Sequence, residues 1–273
     1  MSGTVVAIQG ERGAFSEEAA EKLFGRRLRT LPCESFAAAF ARVTKGKAQW
    51  ALLPIENTLA GSIHEVYDLL LENRLYISGE IKLPIVHNLI AFPETTLRNL
   101  REVYSHPVAL AQCSKFFAAH PRIRKIPFYD TAGSVKMLAE RRLPGAAALA
   151  GRAAAKAYRA RILRAHLEDH KENYTRFVLL SKDCRPTSRA DKTSIVFSTP
   201  NVPGALFRCL SAFALRDINL TKLESRPWRG RPWEYLFYLD FIGHVEEERT
   251  RRALTQLGEM TDFLRILGCY RSA

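Results

Sequence analysis

The stretch HKENYTRFVLL, residues 170–180, passes from charged to apolar, with Asn173, Thr175 and Arg176 where the chain turns inward. A polar group taken out of water costs free energy unless it is paired. An amide, a hydroxyl and a guanidinium at the mouth of a strand are therefore turn chemistry or a ligand site. Four further stretches gather ligand-type groups where strands hand over to helices. QGERGAFSE puts backbone amides around Gly13 at a helix start, a geometry that holds anions, without the third glycine of a dinucleotide fingerprint. PIENTLAGSIHE offers Glu56, Asn57, Thr58, Gly61 and Ser62 ahead of a helix. YSHPVALAQC offers Ser105, His106 and Gln112, and YDTAGS offers Asp130, Thr131 and Ser134. Taken singly, each reads as readily as a capping loop or turn. His166 and His170 are spaced i, i+4, but the glutamate of HLEDH is misplaced for a zinc-peptidase helix and no third ligand follows, so no metal is expected. There is no GxSxG elbow, no P-loop and no lysine in a Schiff-base setting.

Short strands alternating with short helices position these groups. TVVAIQG reads as a strand and SEEAAEKLF as a helix with Ser16 at its N-cap. SFAAAFARV spaces Phe36, Phe40 and Val43 as one helical face, and SIHEVYDLLLE does so with Ile63, Val66, Tyr67 and Leu70. WALLPI is a buried strand, ISGEIKLP a strand with Ile77, Gly79, Ile81 and Leu83 on one face, and IVHNLIAF another strand. VYSH leads into a helix over PVALAQCSKFFAAH, with Pro107 in its first turn. RIRKIPFYD and AAALA are strands followed by the helices TAGSVKMLAERR and GRAAAKAY. This is α/β grammar with largely parallel sheets, and such sheets bind ligands at their strand ends. The polar stretch SKDCRPTSRADK, with Pro186, reads as a linker. Beyond it the order βαββαβ predicts a ferredoxin-like unit, whose first helix puts Leu206, Leu210, Phe213 and Ala214 on one side. The expected division is residues 1–181, a linker 182–191, and 192–273.

Composition narrows the function classes. At 273 residues, with 47% hydrophobic and 25% charged residues, the chain is an ordinary globular protein. It has no apolar run of the roughly 20 residues that span a bilayer. Its first residues, MSGTVVAIQG, lack the pattern of a signal peptide, which leads to a cytoplasmic expectation. Cys33, Cys113, Cys184, Cys209 and Cys269 are dispersed without CxxC pairs, as for reduced thiols. The excess of 41 basic over 28 acidic residues gives +13. The arginines are read as spread over helical faces such as RRLRT and RRLPGAAALAGRAAAKAYRARILR, without interleaved aromatics, so neither nucleic acid nor membrane is expected as a partner.

Together the motifs GERGAFSEEAA, LLPIENTLAGSIHEVYDLL, LPIVHNLIA, YSHPVALAQC, DTAGS, ALAGRAAAKAY and NYTRFVLL resemble the prephenate dehydratase family from Ala7 to Leu180. NVPGALFRCLSAFALRDINLTKLESRP and PWEYLFYLDFIGH resemble the ACT regulatory domain that usually follows. The resemblance implies a catalytic domain of two α/β lobes of the periplasmic-binding-protein kind, with the active site in their cleft. It implies a carbon–oxygen lyase of phenylalanine biosynthesis, a phenylalanine effector bound across a subunit interface, and a homodimer or homotetramer. Thr58 stands where the family often has serine. Val108 stands where glutamine is common, and without the amide it is left out of the site. Phe207 replaces a common valine in the effector motif. The related arogenate dehydratases share the chemistry, and a non-catalytic amino-acid sensor is the other class to separate.

Prephenate loses CO2 and a ring hydroxyl to become aromatic phenylpyruvate. The electrons of the breaking C–C bond leave with the hydroxyl, so no cofactor is expected. Hydroxide is a poor leaving group unless it is protonated or strongly hydrogen-bonded. The resemblance implies that Thr175 donates to it. Arg176 and the amides near Gly13, Thr131 and Ala132 are expected to hold carboxylates. Asn57 and Asn173 are expected to fix the cleft or the substrate, with Glu56, Thr58, Gly61, Ser105, His106 and Gln112 around them and Phe177 anchoring the strand. For the effector, the resemblance implies Asn201, Pro203, Gly204, Ala205 and Leu206 against Asn219, Leu220, Thr221, Glu224, Ser225, Arg226 and Pro227 of the neighbouring subunit.

Overall fold

The computed structural model describes residues 3–25, 28–183 and 185–273. Cys184, expected as a reduced thiol, lies outside them, while Cys33, Cys113, Cys209 and Cys269 are free and buried.

The chain forms two compact units. One comprises Met1–Asn73 and Ile81–Val178, the other Arg74–Glu80 and Leu179–Ala273. The first half of the chain runs β1 (Val5–Gln9), α1 (Phe15–Phe24), β2 (Arg29–Cys33), α2 (Phe36–Thr44), β3 (Trp50–Asn57), β4 (Gly61–Ser62), α3 (His64–Glu72) and β5 (Tyr76–Pro84). There follow β6 (Asn88–Ala91), β7 (Glu102–Ser105), α4 (Pro107–Ala111), α5 (Ser114–Ala119), β8 (Arg124–Pro127), α6 (Thr131–Arg141), β9 (Ala146–Ala150), α7 (Arg152–Ala157), β10 (Arg161–Arg164) and β11 (Tyr174–Ser181).

These strands make two sheets. The first has the order β2-β1-β3-β11-β5, with β4 paired to β3, and the second has the order β10-β6-β9-β7-β8. The chain therefore crosses between the lobes twice, at 85–87 and 165–173, the two-crossing layout of the periplasmic-binding-protein kind. The crossings are tied together, since the Ile85 N–H donates to the Asn173 carbonyl and the Leu167 N–H to that of His87, both at 2.8 Å. The second sheet is mixed rather than largely parallel, because β6 runs antiparallel to both β9 and β10. Apolar residues close both of its faces. Ile90, Ala148 and Ala150 pack with Val135, Leu138 and Ala154. Leu89, Ala147 and Leu149 pack with Leu110, Phe116 and Phe117.

Several sequence expectations are corrected here. The arginines expected on helical faces partly occupy strands, with Arg29 opening β2 and Arg161 and Arg164 bounding β10. Helix α1 starts at Phe15 with Ala14 as its N-cap, so Ser16 is a buried first-turn residue and not the cap. The single helix expected after Pro107 is two, broken at Gln112 and Cys113. In β5 the buried residues are Ile77, Glu80 and Leu83, so a carboxylate occupies a position that an apolar alternation does not foresee.

The second unit carries β12 (Lys192–Ser198), α8 (Ala205–Ala214), β13 (Leu220–Pro227), β14 (Tyr235–Ile242), α9 (Glu248–Glu259) and β15 (Phe263–Tyr270). Its antiparallel sheet has the order β13-β14-β12-β15, which is the βαββαβ ferredoxin-like topology. Ile195, Phe197, Leu239 and Phe241 pack under Phe213, Ala253 and Leu257. On α8, Ala212 faces this core and Ala214 is exposed, the reverse of the expected placement for Ala214. Among the described residues no helix is long and apolar enough to cross a membrane.

Candidate active site

Both lobes of the first unit, and the first crossing, line one cavity of about 390 Å³. That is within the range of about 300–1,000 Å³ typical of small-molecule sites. The first lobe contributes Gln9, Ala14, Phe15, Ser16, Phe36, Pro54, Asn57, Ala60, Ile63, Thr175 and Phe177. The crossing contributes Ile85 and His87, and the second lobe His106, Val108, Ala109, Gln112, Tyr129, Asp130 and Thr131.

Strand alternation decides which residues of NYTRF reach it. Side chains point to opposite faces in turn, so Thr175 and Phe177 line the cavity while Arg176 does not. Arg176 is buried on the other face, with a nitrogen 3.9 Å from the Glu56 carboxylate. This corrects the expectation that its guanidinium meets a substrate carboxylate. The Gly13 amide is likewise not an open anion grip, because it donates to Glu17 Oε2 at 2.6 Å, and Glu17 Oε1 accepts from the Thr30 hydroxyl. Gly13 is needed for a different reason. Its φ is +84°, and a Cβ there would stand 2.6 Å from the Ala154 Cα.

Asn57 organises the polar floor. Its Oδ1 accepts from the backbone N–H groups of Leu59 (3.0 Å) and Ala60 (2.8 Å), which fixes the amide's orientation. Its Nδ2 then faces Asn173 Oδ1 (2.8 Å), the Tyr174 carbonyl (3.1 Å) and Thr175 Oγ1 (3.0 Å), sharing two hydrogens among three acceptors. Asn173 Nδ2 donates to Gln112 Oε1 at 2.9 Å, and Gln112 Nε2 reaches Asn57 Oδ1 at 3.3 Å. His87 Nε2 lies 2.9 Å from Gln112 Oε1. Thus Asn57, Gln112, Asn173 and Thr175, expected from sequence, come together.

Others are placed elsewhere. Thr58 pins the loop, its hydroxyl donating to the Glu172 carbonyl (2.7 Å) and accepting from the Tyr174 N–H (2.9 Å). Ser105 is buried and donates to the Leu149 carbonyl at 2.7 Å. Gly61 lies in the short β4 and is exposed, and Ala132 is fully buried in α6. None of these four lines the cavity. His106 does line it as the N-cap of α4, its Nδ1 accepting from the Val108 N–H at 3.3 Å. Burial lowers the pKa of His106.

Sequence reading missed three further residues here. Val108, set aside for lacking an amide, lines the cavity. His87 was hidden inside an apolar strand-like run, and burial lowers its pKa against the pull of Gln112 and Glu168. Asp130 is in sequence a ligand-type group with capping as the competing reading, outside the expected site, and its Oδ1 does accept from the Gly133 N–H at 2.6 Å. Among the described residues it is also the only carboxylate lining the cavity, and burial first, then Glu11, raises its pKa. Among the described residues neither lysine nor arginine lines the walls. The first residues of α1 and α6, Phe15 and Thr131, line the cavity, so the partial positive charge of two helix N-termini faces it beside the Asp130 carboxylate.

In the second unit Asn201, Gly204, Ala205 and Leu206 border a separate depression with Phe207, Trp233 and Tyr235. Pro203 accepts from Arg208 at 3.4 Å. The other expected effector residues, Asn219 to Pro227, follow the edge strand β13 and do not line that depression in the single chain.

A two-lobed α/β unit with a threonine hydroxyl at a largely apolar cavity, followed by a ferredoxin-like module, has the make-up of a small-molecule enzyme with an appended regulatory fold. The prephenate dehydratase family model matches residues 6–185 and the ACT domain model residues 193–259. The chain belongs to the prephenate dehydratase family, which are hydro-lyases, and carries an ACT domain. It is 45% identical to arogenate dehydratase/prephenate dehydratase 2, chloroplastic, of Arabidopsis thaliana, over 97% of this chain and 72% of that protein. Among solved structures, the prephenate dehydratase of Arthrobacter aurescens in complex with L-Phe is 32% identical. It superposes with a TM-score of 0.90, covering 98% of this chain and 90% of that one. A structure described as a quorum-quenching acylase is 34% identical, with a TM-score of 0.90 and 98% of both chains covered.

Proposed function

We propose that the cavity binds prephenate and converts it to phenylpyruvate, CO2 and water, as a step of phenylalanine biosynthesis. The observation that carries this is the Thr175 hydroxyl. It accepts from Asn57 at 3.0 Å, so its own hydrogen is left for a group in the cavity. A hydroxide departing from the ring is such a group: it leaves with the electron pair of the breaking C–C bond, is hydrogen-bonded by Thr175 as it goes, and becomes water by taking up a proton from solvent. The substrate carboxylates suit the amides at the starts of α1 and α6, while Phe15, Ile85 and Phe177 suit the ring. The aromatising step draws on no external electron sink.

A second reading, arogenate as substrate, is favoured by Asp130. Arogenate carries an ammonium where prephenate carries a keto group, and a cavity whose walls hold one buried acid and, among the described residues, neither lysine nor arginine favours the less anionic molecule. Turnover of both compounds by the purified protein, measured side by side, tests the two readings. Phenylpyruvate formed faster from prephenate supports the first, phenylalanine formed faster from arogenate the second. Inactivity on both overturns the catalytic reading and favours a ligand sensor.

For the ACT domain we infer that phenylalanine binds at Asn201–Leu206, against Asn219–Pro227 of a second subunit, in a homodimer or homotetramer working in the cytoplasm. The exposed Phe207, Trp233 and Tyr235 and the uncovered edge of β13 support a subunit contact. Calorimetric titration with phenylalanine, together with sedimentation, tests it. A monomer that gives no heat would overturn it.

A further inference from the structure

We propose that His87 is a positioning residue of this reaction, whose Nε2–H, acting through Gln112 and Asn57, sets the Thr175 hydroxyl hydrogen toward the cavity. The proposal rests on the reading of Thr175 as donor to the leaving oxygen. Its steps follow from backbone groups, whose donor and acceptor roles are fixed. The N–H groups of Leu59 and Ala60 can only donate, so the Asn57 atom facing them is Oδ1. The Tyr174 carbonyl can only accept, so the atom facing it is Nδ2. Asn57 therefore donates to Asn173 Oδ1, and Asn173 presents Nδ2 to Gln112 Oε1. An oxygen on Gln112 requires a hydrogen on the His87 nitrogen 2.9 Å away, which is Nε2.

The opposite tautomer fails twice. It would set the Nε2 lone pair against those of Gln112 Oε1, and it would place a hydrogen on Nδ1, which is buried with no hydrogen-bond partner among the described residues. A buried orphan N–H is costly. The imidazole is clamped as well. The His87 backbone N–H donates to Glu168 Oε2 at 2.9 Å, which fixes the residue, and the Phe15 ring meets the imidazole edge-on at 5.8 Å between centroids. The resulting relay runs His87 to Gln112 to Asn57 to Thr175, every donor pointing the same way. Each bond in such a chain polarises the next. Its last member accepts, which aims its own hydrogen away from the protein amides.

The test uses the full chain. The imidazole nitrogens of ¹⁵N-histidine-labelled wild type are read by NMR, with His87 assigned by its absence in His87→Gln. The neutral Nε2–H tautomer near pH 7.5 is expected, and an Nδ1–H tautomer or an imidazolium overturns the relay. Kinetics then compare His87→Leu with His87→Gln, whose Nε2 can stand where the imidazole Nε2 stood. Leucine is expected to lower kcat at least tenfold, part of the ~10²–10⁴-fold a placed proton donor supplies, with little change in KM. Glutamine is expected to recover most of it. Equal losses in both variants overturn positioning and leave a packing role. Should His87→Leu not fold, the tautomer and the glutamine variant still decide. If wild type turns over neither substrate, the functional reading fails with the catalytic half of this proposal, and the NMR result judges the hydrogen-bond relay alone.

Discussion

A threonine hydroxyl that accepts from an amide has one hydrogen left to give, and the chemistry assigned to Thr175 depends on that hydrogen. Valine keeps the shape and removes the donor. Thr175→Val is expected to lower turnover by at least ~100-fold with the unfolding midpoint little changed, whereas Thr175→Ser retains measurable activity. A valine variant of near-normal turnover would remove Thr175 from the mechanism. His87 makes a second prediction at this scale, on stability. Its folded pKa is depressed, by burial above all, against the opposing influence of Gln112 and Glu168, with His106 and Asp130 in the same cavity wall. The unfolded chain binds a proton near pH 6.5 that the native state refuses. The histidine's contribution is therefore complete above about 6.5 and is lost as pH falls below it, at up to ~1.4 kcal/mol per pH unit. Urea unfolding at pH 7.5 and 5.5 should show a shallower acid loss in His87→Gln than in wild type, and equal slopes would contradict the assignment. Neither residue was equally legible in sequence. Thr175 stands at a visible boundary between polar and apolar chain. His87 sits inside IVHNLIAF, where composition reads as strand, and only the fold brings Gln112, at the end of α4, and Glu168, in the second crossing, to it.

At the scale of elements, sequence periodicity located most strands and helices of the first unit but not always the side they present. Arg176 illustrates why. Adjacent to Thr175 in a strand, it must face the opposite way, and it meets Glu56 instead of the cavity. Strands β2 and β10 were missed because their arginines make them look like solvated helix faces, and the break at Gln112 was invisible because no glycine or proline marks it. The turn around Gly13 was recognised but misassigned, since Glu17, one turn into α1, takes the amide that had looked available. Its glycine is constrained by conformation and space together. Gly13→Ala would force a side chain into the left-handed region, at about 1–2 kcal/mol, and overpack the α7 backbone, at about 1–3 kcal/mol. The alanine variant should unfold at clearly lower urea and bind substrate more weakly, because Ala14 and Phe15 follow directly in the cavity wall. Unaltered stability would mean that the close approach to Ala154 relaxes freely.

For the molecule as a whole, the compact units do not follow the chain in order, since Arg74–Glu80 belongs with the later residues. Besides the pairing of β5 with β11, a buried ion pair ties that segment to the later residues. Lys192 Nζ lies 3.1 and 3.0 Å from the two Glu80 oxygens and 3.9 Å from Asp240, and Glu80 also accepts from the Ala273 N–H at 3.1 Å. Asp240 accepts from Ser194 at 2.5 Å, and Ser194 meets the Tyr270 hydroxyl at 2.6 Å. Both members of the pair are buried, so removing one strands a charge away from water. Lys192→Met is expected to cost about 3–5 kcal/mol, a midpoint shift on the order of 1–3 M urea. Trp228 and Trp233 lie in the second unit and Trp50 in the first. Fluorescence of variants retaining one set or the other therefore shows which transition moves, and the shift belongs to the unit holding Trp228 and Trp233. Replacing both charges, as Lys192→Met with Glu80→Met, should recover much of the loss, because apolar packing substitutes well for a buried pair. Recovery should stop short of wild type, since Asp240 keeps its charge and loses the lysine beside it. A single variant as stable as wild type would mean that water reaches Glu80, and that the pair does not hold Arg74–Glu80 to the regulatory sheet.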